Sequence, residues 1–143
     1  MHTAKEQLNQ LLSDREFRRQ FVADIVQEMV SAQIRSIREK RDWTQDQLGQ
    51  AAGGMKQVQV SRLENPDYSG AAVRSITRIV QAFDMGLIVQ IAPISEVVDW
   101  IVNTTPESLV PRDYTAEQAH LAEERKQQRR TELASDAIAA ELL

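Results

Sequence analysis

The 143-residue sequence predicts a mainly α-helical chain. Apolar residues recur at helical spacing through Phe17, Phe21, Ile25 and Met29, and again through Val73, Ile76, Ile79, Val80 and Phe83. Pairs of the type Ser/Thr with Glu/Gln three residues on, which cap helix starts, recur along the chain. Only Leu87–Ala92, β-branched, short and closed by Pro93, carries the signal of a strand. The rest is organised around Trp43–Asn65, which reads as a short helix, a glycine turn and a second short helix.

Residues 1–12 are polar apart from Leu8, Leu11 and Leu12 and suggest a short helix. Ser13 with Glu16 forms a capping box that opens a helix reaching about Lys40. Val22, Val26 and Val30 flank its apolar stripe, and Ile34 and Ile37 continue it. No glycine or proline interrupts it, so one long helix, or two with a bend near Ser31, is expected. Its stripe reads as core or dimer interface.

Thr44 with Gln47 makes the next capping box, and Trp43 with Leu48 has the spacing of a hydrophobic staple. Gly53-Gly54 stops this helix, because glycine tolerates the positive φ that a helix end needs. The second short helix runs from about Lys56 to Leu63. Met55, Val60 and Leu63 turn inward, leaving Gln57, Val58, Gln59, Ser61 and Arg62 outward.

After a loop at Pro66–Gly70, the amphipathic helix through Phe83 ends at Gly86. Ser95 is placed to cap a helix over Glu96–Val102, and Thr105-Pro106 to start another. Val110–Tyr114 reads as a linker. Thr115 with Gln118 opens a long polar helix that regains an apolar face at Ala137, Ile138, Leu142 and Leu143. That helix reads either as an exposed tail or as a segment that docks on a partner.

Apolar residues make up 42% of the chain, enough for a core. There is no cysteine, which excludes disulfides and thiolate metal sites. No run approaches the ~20 apolar residues of a membrane span, and the N-terminus lacks the apolar centre of a signal peptide, so a cytoplasmic protein is expected. Net charge is −4, but its distribution is uneven. Arg35–Arg78 holds eight Lys/Arg against five Asp/Glu, a surplus of +3, and the remainder carries −7. Phosphate binding needs local positive charge rather than a basic whole.

Nothing points to catalysis. His2 and His120 are far apart, and His120 with Glu124 is too few groups for a metal site. A phosphate-binding glycine loop and a nucleophile elbow are both missing. The chain is read as no enzyme, with no cofactor and no metal.

The layout of the two short helices is that of a helix-turn-helix unit, whose second helix faces the DNA major groove. Glutamine can pair bidentately with adenine, and arginine with guanine. Thr44-Gln45, Leu48, Gly54-Met55-Lys56-Gln57 and Val60-Ser61-Arg62-Leu63-Glu64-Asn65 resemble the lambda-repressor-like (Xre) helix-turn-helix proteins. The continuation into Pro66-Asp67, a helix and a strand is similar to HipB-type antitoxins. The resemblance covers roughly Gln33 to Ala92. Gly53-Gly54 is one residue more than the family's usual turn.

The resemblance and the outward face together assign base reading to Gln57, Val58, Gln59, Ser61 and Arg62. Phosphate contacts fall to Gln45, Lys56, Asn65, Tyr68 and Lys40. Arg38 and Glu64 match a family ion pair that packs the recognition helix. Leu87, Ile88, Val89, Gln90 and Ile91 are expected to pair with the same strand of a second copy, because a lone strand leaves its backbone groups unpaired. Three segments follow: a helical extension over 1–32, the helix-turn-helix domain with its dimerisation strand over 33–92, and a C-terminal helical extension over 93–143. The expected partners are double-stranded DNA and a second copy of the chain. A toxin or other protein at the C-terminal helix belongs to the antitoxin reading, and an adaptor that keeps the fold without DNA readout is the remaining alternative.

Overall fold

The structure, a computed structural model, describes residues 1–143. It contains seven α-helices: α1 (Ala4–Leu12), α2 (Arg15–Lys40), α3 (Gln45–Ala51), α4 (Gln57–Leu63), α5 (Val73–Ala82), α6 (Ile94–Val102) and α7 (Tyr114–Leu142). The chain divides into two compact units, Met1–Pro111 and Arg112–Leu143.

In the first unit, α2 runs unbroken as one 26-residue helix, in which Ser31 Oγ donates to the Glu28 carbonyl. Its N-cap is Asp14, which accepts from the Phe17 N–H, and not Ser13, which instead ends α1. The start of α1 carries a box absent from the expectation, Thr3 with Glu6, made in both directions. α1 packs on the start of α2 and on α6. Leu12 and Val98 are buried there, and Lys5 pairs with Asp99 at 2.6 Å.

The main core gathers Ile34 and Ile37 of α2, Leu48 and Ala52 around α3, Met55, Val60 and Leu63 around α4, and Ile76, Ile79 and Phe83 from α5. The upper stripe of α2 does not join it: Phe17 is exposed, and Phe21, Ile25 and Met29 are half-buried.

Helix ends explain the sharp reversals. The Trp43 N–H bonds the Arg38 carbonyl and the Asp42 N–H bonds that of Glu39, a Schellman closure with Asp42 at φ 55. α5 closes the same way, through Asp84 at φ 57 with Met85 bonding Val80. The end therefore falls at an aspartate two residues before Gly86, since a short polar side chain tolerates the left-handed region. At α3 the residues are Gly53 and Gly54, at φ 80 and 85.

Other boundaries also differ from expectation. α6 begins after Pro93, so Ser95 lies inside it. Thr105 and Ser108 cap each other reciprocally, but a single turn forms, because Pro111 bars the preceding residue from helix. In the second unit the cap of α7 is Asp113, which accepts from the Ala116 N–H, rather than Thr115 with Gln118. α7 buries no residue and is laced by short-range pairs such as His120–Glu124 at 3.0 Å and Gln128–Glu132 at 3.2 Å.

The expected strand is not formed in the single chain. Leu87–Ala92 has no regular structure and no backbone partner, and Ile88, Val89 and Ile91 are 87%, 72% and 101% exposed. A strand exists only by pairing, and the chain offers no second one.

Gly49 is fixed by close approach. A Cβ there would lie 2.1 Å from the Met55 carbonyl oxygen, while the Met55 N–H donates to the Gly49 carbonyl at 2.8 Å. Gly49→Ala should lower stability by about 1–3 kcal/mol or more, read by urea unfolding. Gly54→Ala meets open space and should cost only the ~1–2 kcal/mol of left-handed backbone. Equal losses at the two sites would mean that the clash at Gly49 is relieved by movement of the turn.

Candidate nucleic-acid interface

α3 starts on the reciprocal cap expected for it: the Gln47 N–H donates to Thr44 Oγ1 at 3.1 Å, and Gln47 Oε1 accepts from the Thr44 N–H at 2.8 Å. Its C-terminal turn is held from outside by Arg78 of α5, whose guanidinium donates to the carbonyls of Ala52 at 2.9 Å and Gly53 at 3.3 Å. The chain therefore enters α4 along a fixed path.

α4 turns Val60 and Leu63 into the core, and Gln57, Val58, Gln59, Ser61 and Arg62 lie exposed. Gln57 Nε2 donates to Gln45 Oε1 at 2.6 Å, so the first residues of α3 and α4 buttress each other. Gln57 Oε1 stays free, as does Gln45 Nε2. Arg62 makes no hydrogen bond or ion pair, so its guanidinium fork is available. Gln59 differs from the other four: its Oε1 accepts from the Lys56 N–H at 3.0 Å and caps the helix. Only its amide N–H groups remain to read a base.

Lys56 stands exposed at the N-cap of α4. Asn65 Oδ1 accepts from the Asp67 N–H at 2.9 Å, shaping the loop and leaving the Asn65 amide nitrogen free. Tyr68 is half-buried in that loop. Lys40 is exposed in the last turn of α2, with no bond joining it to the α3–α4 face.

The Arg38–Glu64 pair is formed. Arg38 Nε and Nη2 donate to Glu64 Oε2 and Oε1 at 2.8 and 2.9 Å, and Nη1 donates to the Trp43 carbonyl at 2.8 Å. The side chains are 14% and 1% exposed. The hydrogen bond to Glu64 raises the Arg38 pKa above its ordinary value, against the opposing effect of burial. Arg35 adds a looser contact to Glu64 at 3.8 Å.

Sequence reasoning missed three contributors. Arg78 is one. Arg41 lies over the rings of Trp43 and Phe83, at 5.0 and 5.4 Å from their centroids, and donates to the Phe83 carbonyl. Gln27 is the third: its amide reaches the carbonyls of Leu63 and Asn65. Each acts on backbone carbonyls remote in sequence, a partner that residue type and spacing do not reveal.

A capped helix, a glycine-closed turn and a second helix with its polar face outward define a helix-turn-helix unit, and the comparisons agree. Residues 34–87 match the HTH_3 family model, Helix-turn-helix. This stretch is a lambda-repressor-like, Xre-type domain, the kind carried by DNA-binding regulators. The match does not extend to a narrower likeness to HipB-type antitoxins. Searches of curated proteins and of solved structures return no match. No helix is long and apolar enough to cross a membrane.

Breaking the buried pair should be costly. Glu64→Ala leaves Arg38 charged and unpaired and should destabilise by about 3–5 kcal/mol in urea unfolding. The double variant Arg38→Met with Glu64→Leu should recover most of that loss. A single variant as stable as the wild type would show that the pair is solvated rather than buried.

Proposed function

We propose that the chain is a sequence-specific double-stranded DNA-binding regulator that represses transcription from a palindromic operator as a homodimer. The outward face of α4 carries this reading: Gln57, Val58, Ser61 and Arg62 are exposed together on a helix whose approach is fixed from both sides. Arg62 offers its fork to guanine O6 and N7, Gln57 its carbonyl oxygen to an adenine amino group, and Val58 an apolar contact to a thymine methyl. Gln59 assists through its amide and Ser61 through its hydroxyl. Gln45, Lys56, Asn65, Tyr68 and Lys40 hold phosphates, with Gln45 at a helix start whose free N–H groups favour an anion.

The dimer is supported by Leu87–Ile91. Exposed apolar side chains on a segment with no regular structure and unpaired backbone groups are satisfied most simply by the same segment of a second copy across a twofold axis. Such a dimer sets two α4 helices about 34 Å apart, one DNA turn.

A second reading, the antitoxin of a toxin–antitoxin pair, draws on α7. Leu133, Ile138, Leu142 and Leu143 are exposed on a helix that buries nothing. A toxin seated on that helix would be neutralised while α4 binds the operator. Co-purification of a second chain separates the two readings. Failure to enrich any DNA would favour an adaptor that keeps only the fold.

The test is selection of duplexes from a random pool, followed by binding isotherms at several salt concentrations. Arg62→Ala should cost ~1–3 kcal/mol of operator affinity and relax preference at one base pair. Lys56→Ala should weaken all duplexes alike and lower the salt slope by ~1. If both variants keep the wild-type isotherm and preference, α4 is not the reading helix.

Val89→Pro places a residue without an N–H in the middle of the segment. Sedimentation should then show a monomer, and operator binding should weaken with it. An intact dimer with normal affinity would move the joint elsewhere.

A further inference from the structure

Gln27 lies on α2, outside the matched domain at 34–87. Its Nε2 donates to the Leu63 carbonyl at 3.3 Å and to the Asn65 carbonyl at 3.0 Å. Leu63 is the last residue of α4, and no backbone N–H bonds its carbonyl. Asn65 opens the loop, and its carbonyl also accepts from the Tyr68 N–H at 3.1 Å. A single amide thus bridges the end of α4 and the start of the loop.

Beyond that bridge the loop stands away from α2. A groove of about 340 Å³ opens between them, with Asp24, Gln27 and Glu28 on one wall and Pro66, Asp67 and Tyr68 on the other. Among residues 15–33, Gln27 is the one side chain whose hydrogen bonds cross to α4 and its loop. Apolar contact lets the loop slide, whereas an amide held to two carbonyls sets both distance and angle.

We propose that Gln27 is a positioning residue for DNA binding: it sets the loop that carries Asn65 and Tyr68 so that both meet the phosphate backbone. The inference rests on the reading of the chain as a DNA-binding regulator. It also gives the N-terminal part of α2 a share in that function. Because phosphate contacts fix register without reading sequence, loss of Gln27 should act on all duplexes equally.

The experiment uses the full chain with Gln27→Met, which keeps length and apolar stem and removes the donors. Affinity for the selected operator and for a random duplex should fall by the same factor, roughly three- to tenfold. Base preference and sedimentation should stay unchanged, and the thermal midpoint should fall by no more than about a few degrees. In an Asn65→Ala background the effect of Gln27→Met should shrink, because one of the two phosphate-contacting side chains it positions is gone. In the free protein, amide exchange at Asp67 and Tyr68 should quicken.

Should Gln27→Met lose its fold, Gln27→Ala, which also removes the donors and adds no charge, serves the same comparison. Unchanged affinity, an undiminished effect in the Asn65→Ala background, or unaltered exchange would each overturn the inference. A wild type that binds no DNA at all would instead overturn the proposed function, and the DNA role of Gln27 with it. Exchange would still show whether Gln27 holds the loop.

Discussion

The ion pair between Arg38 and Glu64 is the constraint on which the arrangement of the domain depends. Apolar packing holds α2, α3, α4 and α5 together, but it is non-directional and permits sliding. A guanidinium fork bound to both oxygens of one carboxylate does not. Glu64 ends α4, so the fork sets where that helix finishes relative to α2. The third donor of Arg38 takes the Trp43 carbonyl, which ties in the chain just before α3. One buried side chain therefore references both short helices to the long one. A buried pair of this kind fixes geometry more than it adds stability.

The other interior cations extend the same logic. Arg78 closes the C-terminal carbonyls of α3, and Arg41 spans two aromatic rings and the Phe83 carbonyl. The segment Arg35–Arg78 carries a +3 surplus, yet Arg38, Arg41 and Arg78 direct their donors inward. The outward contribution falls to residues such as Lys40, Lys56 and Arg62. Such a surface relies on well-placed contacts rather than on a strong field.

The helices were legible because periodicity, caps and breakers agreed over Thr44–Leu63, and the Arg38–Glu64 pair was legible through the family resemblance. Several boundaries were not. Asp14, Asp84 and Asp113 took roles that sequence spacing assigned to Ser13, Gly86 and Thr115, since residues of similar cap chemistry sit side by side and packing decides between them. Gly49 drew no attention in the sequence, because nothing local shows that the Met55 carbonyl comes to rest against it. Gln59 looked like one more outward amide, but its oxygen is spent on the Lys56 N–H. The β-branched run at Leu87–Ala92 was read as a strand and forms none, since a strand needs a partner that a single chain does not contain.

The placement of the two tryptophans gives the molecule a pair of optical probes. Trp43 is half-buried, stacked on Phe83 at 6.3 Å and capped by the Arg41 guanidinium, so its indole fluorescence reports the packing inside the matched domain. Trp100 is 52% exposed on α6, which packs on α1, so its emission should lie to the red of that of Trp43 and be open to collisional quenchers. Replacing either indole by phenylalanine isolates the other. Whether the two transitions coincide in denaturant then shows whether domain and extension unfold in one cooperative step.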